Sequence, residues 1–189
     1  MSWINSRDEP WRTALVGELE KYMNITRIGK IWGTQMNEFE ECKRHSVTTE
    51  EAKERRITKQ CVSRKFKFNL ALENSIRVHY VTEKFWDSLF SNAVTVYFGA
   101  PNVARDYAPA PDSFINIAAF PSCAELATYL QSVANDEKKW LSFFKWRSDP
   151  ASIEKLSRVW NNSYRDLGCN VAQYILQLMT QKEDFSYNN

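Results

Sequence analysis

Between Phe66 and Phe90 the hydrophobic period changes once, from that of a strand to that of a helix, and this switch constrains the fold more than any other feature of the chain. Phe66, Phe68, Leu70 and Leu72 alternate with Lys67, Asn69 and Ala71, the pattern of a strand with one face buried. Phe85 with Leu89, and Trp86 with Phe90, then recur at i and i+4, as an apolar helix face requires. The polar residues in between must form a strand-to-helix turn. In open α/β sheets ligands bind beyond the carboxyl ends of strands, where helix N-termini present unpaired N–H groups to an anion.

That turn ends on Glu83-Lys84, a pair of opposite charges where the helix begins. A helix N-terminus carries roughly half a positive elementary charge, so a lysine in the first turn is disfavoured unless an anion lies in front of it. Lys84 therefore points to a negatively charged ligand such as a diphosphate. Glu83 suits the same helix end, and its two oxygens can accept hydrogen bonds from the hydroxyls of a ribose. Together they would grip a nucleoside diphosphate at two points. An exposed Glu-Lys pair on a solvated helix has the same dipeptide, and the dipeptide alone does not separate the readings.

The surrounding blocks bear on the choice. Phe66-Lys67-Phe68 is followed by Leu72-Glu73-Asn74-Ser75, then by Tyr80-Val81-Thr82-Glu83-Lys84 and Trp86. Downstream stand Val96-Tyr97-Phe98-Gly99-Ala100-Pro101-Asn102 and Ala108-Pro109-Ala110-Pro111-Asp112-Ser113-Phe114-Ile115. Glu125-Leu126-Ala127, Tyr129-Leu130, Asn135-Asp136 and Phe144-Lys145-Trp146-Arg147 continue the series. In this order and approximate spacing the chain resembles the alpha-1,3-fucosyltransferase family. Its first blocks are similar to the family's Lys-Phe-x-Leu-x-Phe-Glu-Asn-Ser signature and Tyr-Val-Thr-Glu-Lys core, and the next to its Gly-Ala-Pro-Asn turn and Ser-Phe-Ile segment. Several blocks in register are far more specific than one short motif.

Departures from the family pattern fall at Leu72, where phenylalanine is usual, Asn92, where glycine is common, Thr95, where proline is usual, and Cys123, where proline often follows serine. His79 takes a position that is often acidic or small, and both a surface histidine and a group that alters how the sugar or base is held stay open. Near the N-terminus, Trp3-Ile4-Asn5-Ser6 followed by Arg12, Leu19 and Tyr22 resembles the family's strand end, after which an arginine opens a helix and contacts the donor phosphates. Here the order reads Asn-Ser. Pro10, with Leu15, Leu19 and Tyr22 beyond it, supports a helix start nearby. The guanidinium of Arg12 would take phosphate oxygens bidentately, and a solvated arginine fits the same pattern. Ile28-Gly29-Lys30 is similar to the family's Tyr-Gly-Lys turn, with Ile31 in place of its usual cysteine.

With 189 residues the chain suits one well-packed domain better than two. A net charge of +2 gives no general attraction to nucleic acid. The basic run Lys53, Arg55, Arg56, Lys59, Arg64, Lys65 and Lys67 reads mostly as a solvated helix face, begun by the capping-box spacing of Thr48 and Glu51, and lacks the interleaved aromatics of a single-strand binder. No apolar run approaches the roughly 20 residues that cross a bilayer, and Met1-Ser2-Trp3-Ile4 does not open a signal peptide. Asn24-Ile25-Thr26 and Asn161-Asn162-Ser163 are acceptor sequons that matter only if the chain is lumenal. Cys42, Cys61, Cys123 and Cys169 have no zinc-like spacing, and their pairing stays open.

The patterns predict helices near 10–23, 49–60, 82–91, 122–134, 136–147 and 151–181, and strands near 25–28, 66–72, 93–98 and 114–117. Their alternation implies an α/β fold with a parallel sheet covered on both faces. Ser122 and Glu125 form a second capping-box spacing, and Leu156, Trp160, Tyr164, Leu167, Val171, Tyr174 and Leu178 follow one helical packing stripe.

The resemblance implies more. The fold would be a Rossmann-like sheet equivalent to the C-terminal half of a GT-B glycosyltransferase, with residues 1–181 binding GDP-fucose and 182–189 forming a tail. The family's preceding acceptor domain and membrane anchor have no counterpart in this sequence, and the Golgi lumen is the location expected of full-length members. The implied reaction is inverting transfer of fucose from GDP-fucose to an N-acetylglucosamine hydroxyl of a glycan acceptor. Glu83, Lys84, Asn74, Tyr80 and Arg12 would hold the donor, and the catalytic base would belong to the acceptor domain. Whether manganese takes part stays open, and no nucleic acid is implied. The other class is a truncated relative that keeps GDP-sugar affinity without turnover.

Overall fold

A strand buried on both faces cannot form alone, and five short ones solve the problem together. The computed structural model describes residues 1–5, 9–29, 34, 38–42 and 58–164. Strands β1 (Ser2–Ile4), β2 (Thr26–Ile28), β3 (Phe68–Leu72), β4 (Val94–Phe98) and β5 (Ile115–Asn116) form a parallel sheet in the order β2-β1-β3-β4-β5. The chain leaves β1 for the outer strand β2, then returns past β1 to lay down β3 on its other side, with Ser2 opposite Asn69 and Trp3 opposite Leu70. The winding direction reverses between β1 and β3, which is the switch point at which α/β sheets open a crevice.

Side-chain alternation sends the two faces of β3 into different cores. Phe68, Leu70 and Leu72 join Trp3, Val94 and Val96 under helices α1 (Pro10–Leu19) and α5 (Cys123–Ala134), which contribute Val16, Leu19, Leu126, Leu130 and Val133. On the opposite face Ala71 and Tyr97 meet Phe85, Trp86 and Leu89 of α3 (Glu83–Leu89), backed by Trp146 and by Leu156 of α7 (Pro150–Tyr164). A third cluster joins Ile28 and Cys42 to Val62 of α2, whose described residues are 58–63. Each fully buried side chain of the Leu or Phe type contributes about 1.5–3 kcal/mol. Covering both faces is what makes the short strands viable.

The expected elements are present, with instructive differences at their ends. Helix α3 stops at Leu89, and Asn92 adopts a left-handed φ of 63°. Glycine is the easiest residue there and asparagine the next most tolerant, which accounts for Asn92 at a position where glycine is common in the resembled family. The helix expected over 136–147 is broken into α6 (Glu137–Ser142) and a 3-10 turn at Lys145–Ser148. On an unbroken helix Trp146 would project about 200° away from Phe144. Phe144 packs at the first core and Trp146 enters the second. Ser122 caps α5 as its spacing predicts, accepting from the Glu125 N–H at 3.2 Å. Strand β1 and the short helix α4 (Val103–Asp106) carry too few residues to show a period. The capping box at Thr48, residues 49–57 of the second expected helix, and everything after Tyr164 lie outside the described residues.

Candidate functional site

At the switch point, the ends of β1 and β3 and the first turns of α1 and α3 border one crevice lined by Asn5, Arg12, Lys59, Asn69, Lys84 and Asp87, among others. Arg12 stands in the first turn of α1, opened by Pro10 at the first helical position. Arg12 is 1% exposed. One Nη donates to the Leu72 carbonyl at 3.3 Å and to Asn74 Oδ1 at 2.8 Å, tying α1 to the end of β3. A buried arginine stays charged, so the crevice floor holds a fixed cation. Helix α2 adds Lys59, whose Nζ lies 4.0 Å from Asp87 Oδ2 on α3.

The β3–α3 loop is closed by a residue that sequence reasoning left without a role. Glu73, at 0% exposure, accepts from the Thr82 N–H at 2.7 Å and from the Thr82 hydroxyl at 2.6 Å. Burial raises its pKa, against the opposing pull of the Thr82 hydrogen bonds and of Lys84. Thr82 also caps α3, its hydroxyl accepting from the Lys84 N–H at 3.4 Å. The Lys84 ammonium sits 3.2 Å from Thr82 Oγ1, 3.3 Å from Glu83 Oε1 and 3.9 Å from Glu73 Oε2. For Glu83, burial would raise the pKa, but Lys84 and the hydrogen bonds around it outweigh this and hold the carboxyl below its ordinary value. Glu83 is thus an anion with one oxygen on Lys84 and its side chain 45% exposed.

Four of the five expected donor-site residues are linked in this way: Arg12 to Asn74, and Glu83 to Lys84, with Arg12 and Lys84 bordering the same crevice. Tyr80 lies half-buried in the same loop, its N–H donating to the Arg77 carbonyl at 3.1 Å, and its hydroxyl makes no hydrogen bond among the described residues. His79 has a left-handed φ of 66° and an exposed ring. Its N–H donates to Asn102 Oδ1 at 2.9 Å, and Asn102 Nδ2 donates back to His79 Nδ1 at 2.8 Å and to Asp106 Oδ2 at 2.7 Å. Asn102 therefore fastens the β3–α3 loop to α4. In the same turn Ala100 N–H donates to the Tyr97 hydroxyl at 3.0 Å, and a Cβ on Gly99 would collide with the side chains of Tyr97 and Glu73. The signal for Glu73 was present as a carboxylate at a strand end. Asn102 ends the Gly-Ala-Pro-Asn turn seen in the sequence, and for Lys59 only the fold supplies a signal.

Comparison with known proteins decides the family. The sequence matches the glycosyltransferase family 10 (fucosyltransferase) C-terminal region over residues 1–187. The chain belongs to glycosyltransferase family 10. It is 32% identical over 171 residues to the mouse (Mus musculus) 4-galactosyl-N-acetylglucosaminide 3-alpha-L-fucosyltransferase 9, covering 89% of this chain and 42% of that one. Over 82 residues, 43% of this chain and 17% of the relative, it is 42% identical to the GDP-fucose protein O-fucosyltransferase 3 of Xenopus tropicalis. A crystal structure of an alpha1,3-fucosyltransferase with GDP-fucose superposes with a TM-score of 0.57 at 26% identity, covering 75% of this chain and 37% of that one. This family 10 chain spans less than half the length of the curated relatives it matches. Its parallel sheet flanked by helices is consistent with the Rossmann-like half of a GT-B-type fold.

Proposed function

We propose that this chain is the donor-binding half of an inverting fucosyltransferase that moves fucose from GDP-fucose to an N-acetylglucosamine hydroxyl of a glycan. The observation that carries the reading is the convergence of Arg12 and Lys84 on one crevice at the β1/β3 switch point, from the first turns of two different helices. Both helix ends and both side chains favour a diphosphate there. Residues 1–181 would form the donor domain and 182–189 a tail, with the acceptor domain and its catalytic base supplied by sequence outside this chain. In full-length form such an enzyme would work in the Golgi lumen.

Inversion requires a single in-line displacement. The acceptor oxygen bonds to the anomeric carbon as the bond from that carbon to the diphosphate oxygen breaks, the electron pair leaves with GDP, and a base takes the acceptor proton. Positive charge grows on the sugar ring and negative charge on the departing diphosphate. Arg12 and Lys84 would stabilise the latter from fixed positions, the arrangement that lowers a barrier most effectively. Glu83 is the exposed carboxylate for the ribose hydroxyls, Asn74 is oriented by Arg12, and Tyr80 would help align the donor.

Calorimetric and thermal titration with GDP tests the proposal. GDP should raise the melting temperature by mass action, and Lys84→Ala should remove most of the rise. No shift at GDP concentrations well above micromolar would remove the donor-site assignment.

A further inference from the structure

Helix α2 delivers a cation that the donor reading leaves unused. Lys59 borders the same crevice as Arg12 and Lys84, so three positive side chains reach it from three different helices. Asp87 is the single acidic residue among the described residues that line it. Glu83 pairs with Lys84 at 3.3 Å, and Glu73, the next nearest carboxylate to Lys84, directs both oxygens to Thr82. Among the described residues, the side chains that line the crevice are three cations and one carboxylate.

The position of Lys59 is fixed rather than incidental. Two residues further along α2, Cys61 is bonded to Cys42, and Val62 is fully buried against Ile28 and Cys42. The backbone of α2 is thus clamped while the lysine side chain stays one-third exposed, at 33%. Its ammonium is 4.0 Å from Asp87 Oδ2, too far for a direct hydrogen bond and near enough to be held by charge. A flexible ammonium parked beside a carboxylate at the rim of a basic crevice can swing to a stronger anion at little cost.

We infer that Lys59 is a third phosphate-binding cation of the donor site, reaching the diphosphate from the α2 wall while Asp87 holds it until the nucleotide arrives. This rests on the donor reading above and adds to it a residue from the basic run. The competing role is structural: Lys59 serves only to neutralise Asp87.

Titration of GDP and of guanosine into the wild-type chain, Lys59→Ala, Lys59→Met and Lys59→Arg separates the two. One charge-assisted contact is worth about 1.5–3 kcal/mol, so loss of the ammonium should weaken GDP binding by about tenfold or more. Guanosine binding should not change, and Lys59→Arg should recover most of the GDP affinity. Lys59→Met keeps the aliphatic stem and controls for lost packing. If Lys59→Met lowers the melting temperature of the empty protein but leaves the GDP-to-guanosine affinity ratio at its wild-type value, the structural role stands and the inference falls. Wild-type protein that binds no GDP would bring down the donor reading itself. Intact wild-type binding with an unchanged Lys59→Met ratio brings down the inference alone.

Discussion

Arg12 donates a 2.8 Å hydrogen bond to Asn74 Oδ1 across 62 residues of sequence, and this contact joins the first turn of α1 to the loop that follows β3. The two elements flank the point at which the sheet reverses its winding, so the bond ties the start of α1 to the end of β3 there. It also orients a guanidinium that is otherwise enclosed by protein.

Replacement of Asn74 by alanine should therefore loosen Arg12 without removing its charge. A hydrogen bond to a charged group contributes about 1.5–3 kcal/mol, and a loss of that order should appear in the denaturant midpoint. GDP affinity should fall in parallel because the cation is no longer held in place. An Asn74→Ala protein with wild-type stability and wild-type GDP binding would contradict the role given to this contact.

The buried carboxylate of Glu73 gives a pH signature. Burial lifts its folded pKa above the ordinary 4.5, so the native state binds this proton more tightly than the unfolded chain does. The stability linked to this preference is complete below the ordinary value and is lost as pH rises through the raised one. Glu73→Gln keeps the shape and can still face the Thr82 N–H and hydroxyl, but it does not titrate. The melting temperature of Glu73→Gln relative to wild type should climb across that interval and then level. A difference that stays flat with pH would mean that the carboxyl does not carry the burial cost assigned to it.

Asn102 makes three side-chain hydrogen bonds, two of them to His79. Asn102→Ala should release the β3–α3 loop from α4 and lower stability by about 1–3 kcal/mol, since the His79 N–H loses its acceptor. Amide hydrogen exchange provides a local reading. The His79 amide should exchange faster in the variant while amides of β3 keep their protection. Unchanged exchange at His79 would show that the loop is held by other contacts.

What could be read from the sequence was local. The β3–α3 turn stood out because a strand period and a helix period abut there, and Glu83-Lys84 fell at the helix start by register alone. Ser122 and Glu125 sit three apart, so their cap was visible too. Contacts between distant segments were not legible. Nothing in the neighbourhood of Arg12 announces Asn74, and β1 has three residues, too short for alternation to distinguish it. Lys59 was hidden in a basic run whose other described members support the solvated reading: Arg64 is exposed, Lys65 pairs with Glu41 at 2.8 Å, and Lys67 reaches the Ala134 carbonyl at 2.5 Å. Only the path of α2 past the crevice separates it from them. The break between α6 and the following turn was obscured because the aromatic residues keep a helical spacing across it while two cores compete for them.

The Cys42–Cys61 bond closes a loop with a sequence separation of 19, which penalises the unfolded chain by about 3 kcal/mol in the chain-entropy description. Its effect extends beyond stability, because one of its ends lies within the helix that presents Lys59. Thiols stay reduced in the cytosol and oxidise in secretory compartments. Protein made in the first environment would keep α2 in place through Val62 and its neighbours alone. On the role proposed for Lys59, the oxidation state in which a preparation is recovered should alter its GDP affinity and is to be fixed before any two measurements are compared.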